Sequence, residues 1–211
     1  MDEFVEKIEM GNLVIRIFQD EDPQNPRHEY DHVSIMVCSH KRYDLGDKDD
    51  VHGINFKNFN GWSEVREEIK ERFKTEYILP LFLYDHSGIT ISVGGFSHVD
   101  SQRWDWGQVG FIFIPSDVMK KDYPGYGEKT LQDRAEEIMV SEVKEYDQYL
   151  TGDVYGYDIV QVSHCEHCDK DTEETLDSCY GFYGMEYCRD DAVSQAKHIL
   201  EEDEKRTACP A

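Results

Sequence analysis

The chain has 211 residues, and its 45 Asp and Glu outnumber 22 Lys and Arg, for a formal charge of −23. That balance excludes a Lys/Arg groove for nucleic acid and a basic face for anionic membrane, and it favours basic protein surfaces as partners. Hydrophobic residues make up 39% and aromatics 12%, enough to build a core, which excludes a disordered acidic tail.

Asn12–Phe18 reads as a first strand, followed by an exposed loop over Gln19–Asp31 that holds two prolines. His32–Cys38 reads as a second strand, expected to form a hairpin with the first. His40–Asn60 is rich in Asp, Gly and Asn and is expected to be a long surface loop. A helix opens at Trp62 with Ser63 as its N-cap, and Val65, Ile69, Phe73 and Tyr77 mark its buried face. Leu81–Tyr84 and Gly88–Val93 predict a hairpin turning at Asp85–Gly88. Val109–Ile114 is the most apolar strand and is expected at the centre of the sheet, and Ser116 or Asp117 caps a short helical turn.

Glu128–Leu150 is the longest predicted helix, with an apolar stripe through Leu131, Ala135, Ile138, Met139, Val143, Tyr146 and Leu150. Its remaining surface is crowded by Glu136, Glu137, Glu142, Glu145 and Asp147. Asp153–Val162 and Thr175–Gly184 mix β-branched and aromatic residues and predict two antiparallel strands. Between them Ser163–Glu174 forms a protruding acidic tip. Asp190 is expected to cap a last helix reaching about Arg206, whose acidic end, Glu201–Glu204, opposes the helix dipole. The pattern predicts one α+β domain over 1–211, with a mostly antiparallel sheet of about five to seven strands covered by two or three helices.

Cys165-Glu-His-Cys168 is the sharpest local motif. A Cys-x-x-Cys pair presents two thiolates to one Zn²⁺, and His164, His167, Cys179 and Cys188 are candidates to complete a tetrahedral structural site. Cys179 falls in a predicted strand and Cys179-x8-Cys188 lacks knuckle spacing, which leaves Cys165, Cys168, His164 and His167 as the proposed set; the alternative is a reduced loop with incidental thiols. Asp85-His86-Ser87 holds three triad residue types, but neighbours in a tight turn do not converge on one reaction point. The Asp47, Asp49 and Asp50 cluster lacks EF-hand spacing and reads as a solvated charge run. Trp104 and Trp106 read as core or partner-surface aromatics. No Walker, Rossmann or nucleophile-elbow pattern is present, and no catalytic residues are assigned. No apolar run reaches the roughly 18 residues of a membrane span, and Met1-Asp-Glu-Phe-Val-Glu lacks a signal-peptide pattern. A location in the host cytoplasm is therefore expected, with thiols kept reduced.

Four segments together, Pro80–Gly88, Gly107–Ile114, Tyr146–Tyr157 and Asp177–Gly184, resemble a group of small acidic proteins carried by phages and mobile elements. The resemblance covers roughly Leu79–Gly184 and implies a phage-like origin without catalytic residues to carry over. In charge, the chain is also similar to acidic antirestriction and anti-CRISPR proteins. The leading expectation is an inhibitor of a host nucleic-acid-targeting defence system. Its acidic surface (Glu136, Glu137, Glu142, Glu145, Asp169, Asp171, Glu173 and Glu174) would fill the partner's basic groove without binding nucleic acid itself. The alternatives are a zinc-stabilised adaptor that binds a partner through its aromatics and, third, a metal-dependent hydrolase using the Asp loop. Charge serving only solubility or a halophilic habitat is the plain explanation to be excluded.

Overall fold

A computed structural model describes residues 4–165, 167 and 169–208. In chain order the elements are β1 (Glu6–Met10), β2 (Leu13–Gln19), α1 (Pro26–Glu29), β3 (Ile35–Cys38), α2 (Asp49–His52), α3 (Trp62–Phe73), β4 (Ile78–Asp85), β5 (Ile89–Ser92), β6 (Trp106–Phe113), α4 (Ser116–Asp122), α5 (Glu128–Thr151), β7 (Val154–Cys165), β8 (Lys170–Tyr183) and α6 (Met185–Ala208). The class is α+β, as the sequence predicts. The strands form two four-stranded antiparallel sheets, ordered β1-β2-β7-β8 and β3-β6-β4-β5, in place of one larger sheet. The chain divides into two compact units, Asn25–Thr151 and the pair Met1–Gln24 with Gly152–Ala211; the first is inserted in the chain between β2 and β7.

In the Asn25–Thr151 unit both faces of the sheet are covered. Ile112 and Ile114 of the β6 segment share one core with Met36, Leu81, Met139, Val143 and Tyr146, which brings α5 onto that face. Phe111 and Phe113 alternate to the other face and pack with Val37, Val65 and Ile69 beneath α3. A strand buried on both sides loses the apolar/polar alternation and becomes a continuous apolar run, which is why Val109–Ile114 looks central in the sequence. Gly110 is required in that run: a Cβ there would stand 1.9 Å from the Val37 carbonyl oxygen. The Asp85–Gly88 turn joins β4 and β5 as expected, and its His86 is held by Asp105 at 2.9 Å.

In the other unit α6 covers one face of its sheet. Cys188, Ala192 and Ala196 sit four residues apart and are fully buried with Leu13, Ile15, Ile17, Tyr157 and Ile159. Small side chains at that spacing let the helix approach the strands closely. The Tyr157 hydroxyl donates to Asp191 at 2.8 Å. Asp190 does not cap α6, contrary to expectation. The helix begins at Met185, with the Cys188 N–H bonded back to the Gly184 carbonyl, so Asp190 lies in its second turn.

Two further expectations are corrected. β2 and β3 do not form a hairpin: β2 lies between β1 and β7, and β3 pairs with β6. β1 itself escapes the sequence reading, because Lys7 and Glu9 break a short strand whose Ile8 and Met10 turn toward the core.

Burial pushes the Cys188 thiol up to about 12, with Asp191 adding to the effect. Cys188 is fully buried, whereas Cys179 on β8 is exposed. In native protein at pH 8, iodoacetamide is therefore expected to alkylate Cys179 at least about tenfold faster than Cys188, because only an accessible thiolate reacts; peptide mass spectrometry after a timed quench reads the ratio. The raised thiol also fixes a sign. The folded state holds a proton that the unfolded chain releases near pH 8.5, so this contribution is complete below that value and declines as pH rises toward 12.

Candidate functional site

The proposed acidic surface divides between the two units, and the structure treats its members differently. On α5, Glu136 and Glu137 are exposed, and Glu137 pairs with Arg134 at 2.9 Å. Glu145 is half-buried. Glu142 does not belong to a free surface. Its side chain is 14% exposed and bonded to Arg27 Nη1 at 2.9 Å. It also accepts the Val33 N–H at 3.1 Å and the Ser34 hydroxyl.

Arg27, at the start of α1, is the centre of this arrangement. Its side chain is fully buried and donates from Nε and Nη2 to both oxygens of Asp47, at 2.7 and 2.8 Å. A further bond runs from Nη2 to the Ser34 carbonyl at 2.9 Å. Asp47 also accepts the Met36 N–H at 2.8 Å, tying the loop after β3 back to that strand. The sequence places Asp47 in a solvated run with Asp49 and Asp50; in the structure it is 6% exposed and half of a bidentate buried pair. Burial works against the Arg27 charge, but Asp47 and Glu142 outweigh it and hold the guanidinium protonated. The cluster is a structural lock that fastens α1, the β3 strand and α5. One signal for Glu142 was present in the sequence: it lies three residues after Met139 and four before Tyr146, inside the apolar stripe.

The β7–β8 hairpin carries the other acidic group. β7 pairs with β2 only as far as Gln161, and the Val162 N–H bonds the Asn12 carbonyl just beyond. From Ser163 onward the hairpin runs past β2 as a two-stranded ribbon in which Ser163, His164 and Cys165 face Thr172, Asp171 and Lys170. Most of the described part of Ser163–Glu174 is thus paired strand rather than the loop that its polarity suggests. Asp169, Asp171, Glu173 and Glu174 are all exposed. His164 lies 2.8 Å from Asp171 and 3.5 Å from Asp169 through its two ring nitrogens. Glu173 accepts from Arg16 of β2 at 2.5 Å, which lowers its pKa below the ordinary carboxylate value. The hairpin therefore has a braced flank, with Glu173 tied to Arg16, and a solvated flank at Asp169 and Glu174.

Of the four proposed metal ligands, Cys168 and the side chain of Cys165 lie outside the described residues. His167 is exposed, and His164 is engaged by the two aspartates. Among the described residues no three His, Cys, Asp or Glu side chains are grouped to hold a metal ion, and no helix is long and apolar enough to cross a membrane. The two tryptophans part company: Trp106 is buried and donates its indole N–H to the Asp100 carbonyl at 2.7 Å, while Trp104 stands exposed. No protein-family model, curated protein or solved structure matches the chain.

Proposed function

We propose that this protein is a non-catalytic inhibitor that occupies the basic, nucleic-acid-binding groove of a partner, in the manner of acidic antirestriction and anti-CRISPR proteins. The observation that carries this reading is the β7–β8 hairpin, which presents Asp169, Asp171, Glu173 and Glu174 as exposed carboxylates, with Asp169 and Asp171 past the last residue of β7 paired to β2. At about 3.4 Å per residue these four carboxylates span at most about 17 Å. One strand of DNA places a charge about every 3.4 Å; with Lys170 inside the stretch and Arg16 bonded to Glu173, the hairpin matches that strand in sign and carries less than half of its charge density. A paired ribbon carrying such charge loses little entropy on docking, and its net field steers it to Lys/Arg-lined grooves. The resemblance to phage and mobile-element proteins makes a host defence nuclease or effector complex the partner class.

The test is a cleavage assay with purified restriction and CRISPR effectors. This protein is expected to inhibit competitively with the DNA substrate, to lose potency as salt rises through the range where the Debye length falls below about 10 Å, and not to shift plain duplex DNA or RNA itself. Sub-micromolar binding to a plain duplex, or inhibition indifferent to both DNA concentration and salt, would reject the reading.

A further inference from the structure

The sheet of the hairpin unit has a second face, opposite α6, and its strand register sets up a feature the acidic tip does not explain. Phe18 of β2 pairs with Gly156 of β7, and Gly156 pairs with Tyr180 of β8. Two aromatics therefore flank a glycine in one row across three strands. The Tyr180 ring lies directly on that glycine: a Cβ at position 156 would come within 2.1 Å of the ring. Tyr180 is fixed from below, its hydroxyl stands 3.5 Å from Asp158, and 51% of the residue remains exposed. Phe18 and Tyr180, with Phe4, line an open cleft of about 1080 Å³. Asp20, Glu21, Asp22 and Asp158 form its charged part. Among the described residues no Lys, Arg or His lies within ion-pair distance of Asp20, Glu21 or Asp22, and nearby Arg16 is paired to Glu173.

We infer that this cleft is a seat for an arginine side chain of the basic partner. Aromatic faces attract a cation through the ring quadrupole, carboxylates at the rim supply the countercharge, and a planar guanidinium satisfies both at once by stacking while bonding bidentately. A lysine ammonium is more strongly hydrated and cannot stack, so the cleft discriminates between two cations that a merely acidic surface treats alike. Immobilising Tyr180 on Gly156 removes the entropy cost of ordering the ring when the ligand arrives. The inference rests on the proposed reading of the protein as a binder of basic surfaces, and it adds where and by what chemistry the partner is anchored.

Fluorescence anisotropy with labelled peptides of alternating arginine and glycine, and their lysine and citrulline counterparts, separates the two ideas. The arginine peptide is expected to bind more tightly than the lysine peptide, and the citrulline peptide not to bind. Tyr180→Ala should weaken arginine-peptide binding about fivefold or more, Tyr180→Phe should stay within about twofold, and the lysine peptide should respond less. Asp20→Asn combined with Asp22→Asn, both in a loop outside the strands, should weaken the arginine peptide to a similar extent and decides the matter alone if Tyr180→Ala does not fold. Equal affinity for the two cationic peptides, or arginine binding unmoved by the loop variant, would overturn the arginine seat while leaving the acidic-surface reading intact. Failure of both cationic peptides to bind even at low salt would overturn the arginine seat and the acidic-surface reading together.

Discussion

Arg27→Ala is expected to lower the unfolding free energy by about 3–5 kcal/mol, more than any single change on the acidic exterior. The reason is asymmetric. Arg27 is fully buried and makes four bonds, two to Asp47, one to Glu142 and one to the Ser34 carbonyl. Its removal leaves two carboxylates, 6% and 14% exposed, without the cation that made their burial tolerable. Glu142→Gln should cost less, about 1–3 kcal/mol, because the amide oxygen can still accept from Ser34 while Arg27 keeps Asp47. Glu136→Lys, on the exposed face of the same helix, should fall within about 0.5 kcal/mol of wild type. Urea unfolding at neutral pH measures all three. A loss below about 1 kcal/mol for Arg27→Ala would show that the cluster is not the lock described. A blanket replacement of Glu136, Glu137, Glu142 and Glu145 by Lys is consequently a poor probe of surface charge, since it would set a lysine against the buried Arg27.

The second large effect concerns binding. A hairpin variant carrying Asp169→Asn, Asp171→Lys and Glu174→Lys is expected to lose about ten- to several-hundredfold in affinity for the proposed basic partner, with its fold intact. Exposed ion pairs contribute about 0.2–1 kcal/mol each; losing three and placing two like charges against a basic groove sums to about 1.5–4 kcal/mol, or roughly that range in Kd. Asparagine is chosen at 169 because that residue has φ +50°, a conformation Asn and Asp accept better than Lys. Glu173 is left in place because it braces the ribbon through Arg16. The salt dependence of binding should flatten in the variant. Wild-type potency from a folded triple variant would mean that the tip's charge is only solvated surface, and would move attention to exposed aromatics such as Trp104.

Much of the local structure was legible in the sequence, because it depends on short-range periodicity. The β4–β5 hairpin, the twice-buried β6 run, the extent of α5 and the projecting β7–β8 hairpin all announce themselves by apolar spacing and turn residues. The acidic exterior at Glu136, Glu137, Asp169 and Glu174 follows from composition, since a chain this charged has nowhere to place most of its carboxylates except in water.

What required the tertiary structure was everything set by residues distant in sequence. β2 finds its partner in β7, with the Asn25–Thr151 unit lying between them in the chain, and local propensity carries no information about such a partner. Asp47 and Glu142 look like ordinary surface acids until Arg27 is placed between them, because only a paired geometry offsets the cost of removing a carboxylate from water. The aromatic cleft has the same origin. Phe18, Gly156 and Tyr180 are unremarkable apart, and strand register alone brings a glycine beneath one ring and beside another, with carboxylates at the margin. Periodicity determined which elements form, whereas register and burial decided which charges are structural and which remain available to a partner.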